Sequence, residues 1–307
     1  MIPRHAPRLS ITGRAAAVLA TIALAVAACG GSAASVEPAG ALKVVATTTV
    51  FQDIIRNVGG DLVVVDSIIP AGVGPEDFEP APDDAKKLAD ADLIVSNGVG
   101  LDDFLDGLID AAGEGDAARL VLGEGVPTIT IDGEENPHFW LDPSLVDEFY
   151  LPAIATSLAE LDPTNAATYE ANRAAYAEAV EAMDAANKTA IETIPEANRK
   201  LVTAHDAFPY FAAHYGFEMI GVIIENVGQE PTAAELAALV ETVKAAGVTA
   251  IFSESQFSPK LAQALADEAG ITNVVTTLYN DSVGPAPADT YLGMMRWNVQ
   301  EIVKALS

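Results

Sequence analysis

Histidines are the side chains of this 307-residue chain best suited to binding a ligand. There are four, and His5 is set aside because it lies in a leader segment. The other three are His138, His205 and His214. Neutral imidazole is a common ligand of zinc, copper, nickel and iron. The only cysteine is Cys29, so an intramolecular disulfide and a cysteine-based metal site are both excluded.

Two of these histidines lie in segments that favour a functional role. His138 belongs to the segment NPHFWLDP, residues 136–143, whose prolines restrict the backbone and predict a rigid loop. Asp142 or a nearby carbonyl is expected to accept a hydrogen bond from its second nitrogen and fix the tautomer. His205 follows a predicted strand, and ligand sites of open α/β sheets lie at such carboxyl ends. His214 lies inside a predicted helix and is expected to be structural or exposed.

The elements that position these residues alternate between strands and helices on both sides of one long helical segment. This alternation predicts parallel sheets with covering helices, an α/β fold. Strands are predicted at 42–48, 62–69, 92–96, 119–122, 201–204, 217–224, 249–253 and 273–278. Helices are predicted at 50–58, 83–89, 101–112, 207–215, 232–246, 259–269 and 289–306.

Residues 162–195 predict the long helix, with Asp162 as its cap. Its apolar side chains recur at helical spacing. These are Tyr169, Tyr176, Val180, Met183, Ile191 and Ile194. We interpret the helix as the link between a lobe at 42–161 and a lobe at 196–307, with a site in the cleft between them. A surface helix of a single domain is the alternative.

The amino terminus predicts export and a lipid anchor. Residues 1–28 combine a positive region with a 14-residue apolar stretch, which is typical of a signal peptide and too short to span a bilayer. The following Cys29 completes a segment, VAAC, that resembles a bacterial lipobox, so its thiol is predicted to be lipidated. Residues 29–41 then form a flexible tether. An ordinary secretory signal with an incidental cysteine is the alternative.

Charge and missing motifs exclude several function classes. The chain carries 44 acidic and 16 basic residues, a net charge of −28, which argues against a nucleic-acid partner because phosphates would be repelled. Gly98 and Gly100 begin a dinucleotide-binding fingerprint, but Asp103 occupies the place of its third glycine. The sequence contains no P-loop, G-x-S-x-G or H-E-x-x-H motif.

Several segments together resemble one known family. They are residues 46–49, 70–80, 91–98, 136–143, 203–208, 230–232, 252–258 and 278–282. In this combination the chain resembles the metal-binding subunits of bacterial ABC importers for zinc and manganese, a family that includes lipoproteins first described as adhesins. The resemblance covers nearly all of the chain after the tether. It implies that four side chains, two from each lobe, bind one divalent ion.

The resemblance implies three ligands directly. They are His138, His205 and Asp281. Manganese-preferring relatives often have Glu where this chain has His205. Glu254 is expected beside the ligands rather than among them.

The fourth ligand departs from the family pattern. The first ligand of the family is usually His, and Glu76 occupies its place in GPEDFEP, residues 74–80. With Glu76 as a ligand, two imidazoles and two carboxylates would suit manganese better and zinc somewhat less. Asp77 or water completes the set in the alternative arrangement.

The expected function is that of a non-enzymatic solute-binding protein. The resemblance implies a monomer on the outer face of the cytoplasmic membrane, held there only through its lipid. It would capture Zn²⁺ or Mn²⁺ and deliver the ion to an ABC permease. A zinc-dependent hydrolase, with Glu76 or Glu254 as the base, and an adhesin are the alternatives.

Overall fold

Apolar, β-branched segments in the first half of the chain form one parallel sheet. The computed structural model describes residues 40–75, 78–112, 117–131, 133–225 and 229–307. The four strands lie in the order β2-β1-β3-β4, so β1 is central. Both of its neighbours run parallel to it. The strands are β1 Leu42–Ala46, β2 Val63–Ser67, β3 Leu93–Ser96 and β4 Ala118–Val121.

Helices cover this sheet because one face of each is apolar. The helix α1, Thr49–Gly59, buries Val50, Phe51, Ile54, Ile55 and Val58. Such burial contributes about 1.5–3 kcal/mol for each large side chain. The remaining elements are α2 Pro82–Ala89, α3 Phe104–Ala112 and a short hairpin of β5 Thr130–Ile131 and β6 Glu134–Glu135.

A helical segment that is absent from the predicted elements follows the His138 loop. It consists of α4 Pro143–Leu145, a π-helical turn Val146–Tyr150 and α5 Leu151–Leu161. Pro152 offers no amide hydrogen and its ring would crowd the carbonyl four residues earlier in a continuous α-helix. A wider turn just before the proline accommodates it. The proline therefore interrupts the sequence pattern that would otherwise predict a helix here.

The long helix α6 covers Ala166–Ile191 and is shorter than the predicted 162–195. A 3-10 turn, Pro163–Asn165, precedes it. The Asp162 side chain makes no capping hydrogen bond, and its carboxylate accepts hydrogen bonds from Asn165 Nδ2 and Tyr169 Oη. All six side chains of the predicted apolar stripe are buried.

The second half of the chain repeats the parallel α/β pattern. The strands β7 Lys200–Thr203 and β8 Glu218–Val222 pair in parallel, as do β9 Ala250–Glu254 and β10 Asn273–Leu278. The two pairs adjoin at β7 and β9. Their helices are α7 Pro209–Tyr215, α8 Ala233–Ala246, α9 Pro259–Ala269 and α10 Tyr291–Leu306. The predicted cap of α8 is confirmed, since Thr232 and Glu235 form a capping box.

One large apolar core runs from the first sheet through α6 to α10, and smaller cores lie under α2–α3 and α8–α9. The described part of the chain belongs to one compact unit. The predicted signal peptide, Cys29 and nearly all of the tether lie outside the described residues, as do Glu76 and Asp77. No helix in the described ranges has the length and hydropathy to cross a membrane.

Candidate metal centre

The structure brings together three of the four side chains predicted as ligands. The ligating atoms of His138, His205 and Asp281 all lie within 4.8 Å of one another. The three residues are buried, with exposed fractions of 4%, 2% and 0%. Within the described ranges, no other group of three His, Cys, Asp or Glu residues has this arrangement. The fourth predicted ligand, Glu76, lies outside the described residues.

Strand ends and a rigid loop bring these side chains to one place. His205 comes two residues after β7, and Asp281 comes three residues after β10. β7 and β10 belong to the two adjoining parallel pairs, and the side chains that follow their carboxyl ends come together. His138 lies at the start of a 3-10 turn, Phe139–Leu141, inside the predicted rigid loop.

Asn136 fixes the tautomer of His138. The Nδ1 atom of His138 lies 3.0 Å from Asn136 Oδ1, which also accepts the backbone amide of His138. An amide oxygen only accepts, so the imidazole hydrogen lies on Nδ1 and Nε2 carries a lone pair. Asp142 or a nearby carbonyl was predicted to accept the imidazole hydrogen of His138. Asp142 does not, since its carboxylate contacts Ser144 and His214. The acceptor is the side-chain carbonyl oxygen of Asn136.

The lone pair of His138 faces a carboxylate oxygen in a buried space. His138 Nε2 lies 3.5 Å from Asp281 Oδ1. Neither atom has a hydrogen-bond partner among the described residues. Two acceptors that face each other without a donor are costly when buried, and a proton or a cation between them removes that cost. An imidazole nitrogen and a carboxylate oxygen are suitable ligands for a divalent transition ion.

Glu254 lies behind His205, as expected from the sequence. Its Oε1 atom lies 3.2 Å from His205 Nδ1 and its Oε2 atom accepts the backbone amide of Ala204. Glu254 is completely buried. A carboxylate beside Nδ1 favours the imidazole hydrogen on that atom, which leaves Nε2 of His205 toward the site.

Asp281 is held as a carboxylate in this setting. Its Oδ2 atom accepts a hydrogen bond from Gln256 Nε2 and lies 3.8 Å from His205 Nε2. Burial acts to raise the pKa of Asp281, but the His138 and His205 imidazoles and Gln256 outweigh burial, so the pKa lies below its usual value. The site therefore keeps a negative charge where a cation would bind.

Contacts from the first half of the chain support the loop that carries Asp281. Trp140 Nε1 donates to the carbonyl oxygen of Asn280 at 2.8 Å, and Tyr291 Oη donates to the carbonyl oxygen of Trp140. Next to Asp281, Ser282 Oγ accepts the backbone amide of Gly72 at 2.9 Å. The two halves of the chain are therefore bonded directly around the site.

A buried aspartate that the sequence reading missed supports the His138 loop from below. The Asp102 carboxylate accepts the backbone amides of Asn97 and Gly98 and the Thr47 hydroxyl. Burial raises the pKa of Asp102. The Asn97 side chain in turn donates to the carbonyl oxygen of Pro137 at 2.9 Å. The backbone amide of Gly98, in the incomplete dinucleotide fingerprint, therefore donates to Asp102.

His214 does not belong to the site but forms an ionic bridge outside it. Its Nδ1 and Nε2 atoms each lie 2.8 Å from a carboxylate, Asp142 on the His138 loop and Asp184 on α6. Lys188 also contacts Asp184. Burial acts to lower the pKa of His214, but the two carboxylates outweigh it and raise that pKa to about 9. His214 is therefore charged at neutral pH and links α7 to two other segments.

We expect His214→Ala to lower the free energy of unfolding by about 2–3 kcal/mol at pH 7, because two half-buried carboxylates lose their partner. The folded pKa of His214 is raised, so the bridge stabilises the fold fully below the unfolded value of roughly 6.5. That contribution is lost as the pH rises through about 9. Urea denaturation at pH 7 and pH 10 measures both effects.

Lys188→Ala is the control, because it removes an exposed partner of the same Asp184. It should cost less than about 0.5 kcal/mol. If His214→Ala costs as little, or if the cost is unchanged at pH 10, the bridge does not stabilise the protein.

Comparison with known proteins identifies the family. The model of the family described as zinc-uptake complex component A, periplasmic (ZnuA), matches residues 44–305. The chain belongs to this family. The predicted resemblance is therefore confirmed, and so is the expectation that the protein is a solute-binding protein and not an enzyme.

Relatives of the ZnuA family resemble the chain over most of their length. The manganese-binding lipoprotein MntA of Halalkalibacterium halodurans is 31% identical over 294 residues, 94% of this chain and 97% of MntA. The metal ABC transporter substrate-binding lipoprotein FimA of Streptococcus parasanguinis is 33% identical, covering 87% and 90%. Another relative is named as iron-binding.

A solved structure of the same kind confirms the two-lobe α/β fold. The periplasmic zinc-binding protein TroA of Treponema pallidum has a TM-score of 0.80 and 29% sequence identity. The match covers 87% of this chain and all of the TroA chain. The geometry around His138 therefore lies in a fold that is shared with a metal-binding protein.

Proposed function

We propose that this protein captures a divalent transition-metal ion at His138, His205 and Asp281 and delivers it to the permease of an ABC importer. The observation that supports this most strongly is the facing pair of His138 Nε2 and Asp281 Oδ1, 3.5 Å apart and buried. Membership of the ZnuA family supports delivery to a permease. Ligands from both halves of the chain also suit capture between two lobes.

The hydrolase alternative has no support from the comparisons. The matching family consists of solute-binding components of importers. Of the two residues considered as a base, Glu254 has both oxygens directed at His205 and at a backbone amide. It positions a ligand in this arrangement.

Metal analysis tests the proposed function. Protein purified without affinity metals should bind one equivalent of Mn²⁺ or Zn²⁺ in a titration followed by native mass spectrometry. We expect His138→Ala and His205→Ala each to weaken that binding by about a hundredfold or more, because each removes one of the few ligands. Binding of both variants at wild-type strength would refute the assignment of the site.

We propose Glu76 as the fourth ligand and Mn²⁺ as the ion that this set favours. Two carboxylates and two imidazoles form a harder ligand set than three imidazoles and one carboxylate. Similar proteins are named for binding manganese, iron and zinc, so the preferred ion of this chain has to be inferred from its own ligands.

Glu76→His tests this choice of ion. The substitution should move the ratio of zinc to manganese affinity toward zinc by about tenfold or more, because imidazole replaces a carboxylate oxygen. Competition titrations of the two ions on the wild type and the variant give the ratio. Glu79→His is the control, since it places the same group three residues away. An unchanged ratio would exclude Glu76 from the ligands.

The setting of the protein in the cell completes the proposal. We infer that Cys29 carries a lipid that anchors a monomer to the outer face of the cytoplasmic membrane, with residues 29–41 as the tether. Relatives named as lipoproteins support the anchor. The lobe boundaries at 42–161 and 196–307 stay a prediction. An adhesin role rests only on the family resemblance.

A further inference from the structure

Asn280 is a buried amide that lies against a metal ligand and has no role in the proposed set of ligands. Its side chain is completely buried, directly before Asp281. Its Nδ2 atom lies 3.2 Å from His205 Nε2. Trp140 holds its backbone by donating to its carbonyl oxygen. The backbone of Asn280 is thus held at the edge of the site, with its side-chain amide beside His205.

The contacts of His205 determine which way the hydrogen bond with Asn280 runs. Glu254 Oε1 lies 3.2 Å from Nδ1, and a carboxylate there favours the imidazole hydrogen on Nδ1, which makes Nε2 the acceptor. Asn280 therefore donates to the same lone pair of His205 that would bind the ion. A metal ion and the Asn280 amide hydrogen compete for that lone pair.

The oxygen of the Asn280 amide also lies in an unusual environment. This oxygen, Oδ1, is buried and has no hydrogen-bond partner among the described residues. A buried carbonyl oxygen without a partner costs roughly 1–3 kcal/mol. A half-turn of the amide would exchange its nitrogen for this oxygen at the position beside His205. Amide oxygen is a hard ligand that suits manganese better than zinc.

We propose that Asn280 determines metal specificity at this site: its amide nitrogen caps His205 in the metal-free protein, and its amide oxygen faces the ion in the bound protein. The extra oxygen favours ions that take more than four ligands, such as Mn²⁺, over Zn²⁺, which is commonly bound by four. This inference rests on the proposed function, because it assumes that His205 and Asp281 bind the ion.

Asn280→Leu tests the proposal, because leucine has nearly the shape of asparagine but neither donor nor acceptor. We expect the dissociation constant for Mn²⁺ to rise about tenfold, because roughly one good polar contact with the ion is lost. The dissociation constant for Zn²⁺ should change less than about threefold. Bound Co²⁺ gives a second measurement. Its visible absorption should become several times stronger in the variant, because four-coordinate Co²⁺ absorbs more strongly than five- or six-coordinate Co²⁺. Asn280→Ala, which removes the amide group without adding a larger apolar side chain, should reproduce both results if leucine disturbs folding.

The control is Asn298→Ala, which loosens the same loop without touching His205. Asn298 bonds the backbone amide and carbonyl groups of Tyr279. Equal changes for Mn²⁺ and Zn²⁺ in the Asn280 variants, or an unaltered Co²⁺ spectrum, would overturn the proposal. So would the same shift in the Asn298 variant, since the effect would then come from the loop. If the wild type binds neither ion, the proposed function fails instead.

Discussion

Replacing Asp281 with alanine is expected to weaken the binding of Mn²⁺ or Zn²⁺ by at least about a thousandfold. Among the described residues, Asp281 supplies the carboxylate of the cluster with His138 and His205, and it faces both imidazoles. Although burial acts to raise the pKa of Asp281, the two imidazoles and Gln256 hold it below its usual value, so the side chain stays a carboxylate. Loss of one partner of a buried charge pair costs about 3–5 kcal/mol, and about 4 kcal/mol corresponds to a thousandfold change in affinity.

Competition with a chromophoric chelator measures this loss for the wild type and for two variants. Asp281→Asn keeps the shape of the side chain and should lose nearly as much affinity, which separates charge from packing. Asp267→Ala is the control for net charge, because the Asp267 side chain is exposed on α9 and its carboxylate accepts a hydrogen bond from Gln263. Affinity within threefold of wild type for Asp281→Ala would mean that the ion binds elsewhere.

Metal affinity should also fall by roughly a hundredfold or more between pH 7 and pH 5. Both His138 and His205 must offer an unprotonated Nε2 to the ion, so protons and the metal ion compete for the same atoms. As the pH falls, a proton takes the position between His138 Nε2 and Asp281 Oδ1 and competes with the metal ion. Asp281 remains ionised over this range because its pKa is lowered, so the imidazoles carry the effect.

A plot of log affinity against pH gives the number of competing protons. Its slope should approach two as the pH falls, because the ion displaces one proton from each imidazole. His214→Gln is the control, since it removes a histidine that bonds Asp142 and Asp184 outside the cluster. Its slope should equal that of the wild type. Affinity that stays constant down to pH 5 would contradict imidazole ligation.

The fold could be predicted from the sequence wherever local patterns decide it. Apolar runs locate the strands, and residues that begin or end helices, such as Thr232 and Gly247, locate the helices. The helical structure of residues 143–161 could not be predicted, because Pro152 interrupts the helical pattern and a π-helical turn accommodates the proline. The ends of α6 were also misplaced, since the Asp162 side chain bonds to Asn165 and Tyr169 instead of capping the helix.

The candidate site was predictable only in part. His138 and His205 could be selected from their surroundings, a proline-bounded loop and a strand end. Nothing within four residues of Asp281 distinguishes it from an ordinary turn aspartate, so only the family resemblance indicated it. The contacts that hold the ligands join residues far apart in sequence, such as Trp140 with Asn280 and His205 with Glu254. Such pairs arise from the packed fold and leave no local signal.

Anomalous scattering from crystals grown with Mn²⁺ tests the central claim most directly. The account predicts one strong peak within about 2.0–2.4 Å of Nε2 of His138, Nε2 of His205 and a carboxylate oxygen of Asp281. A single equivalent of bound ion with its peak away from these three side chains would contradict it.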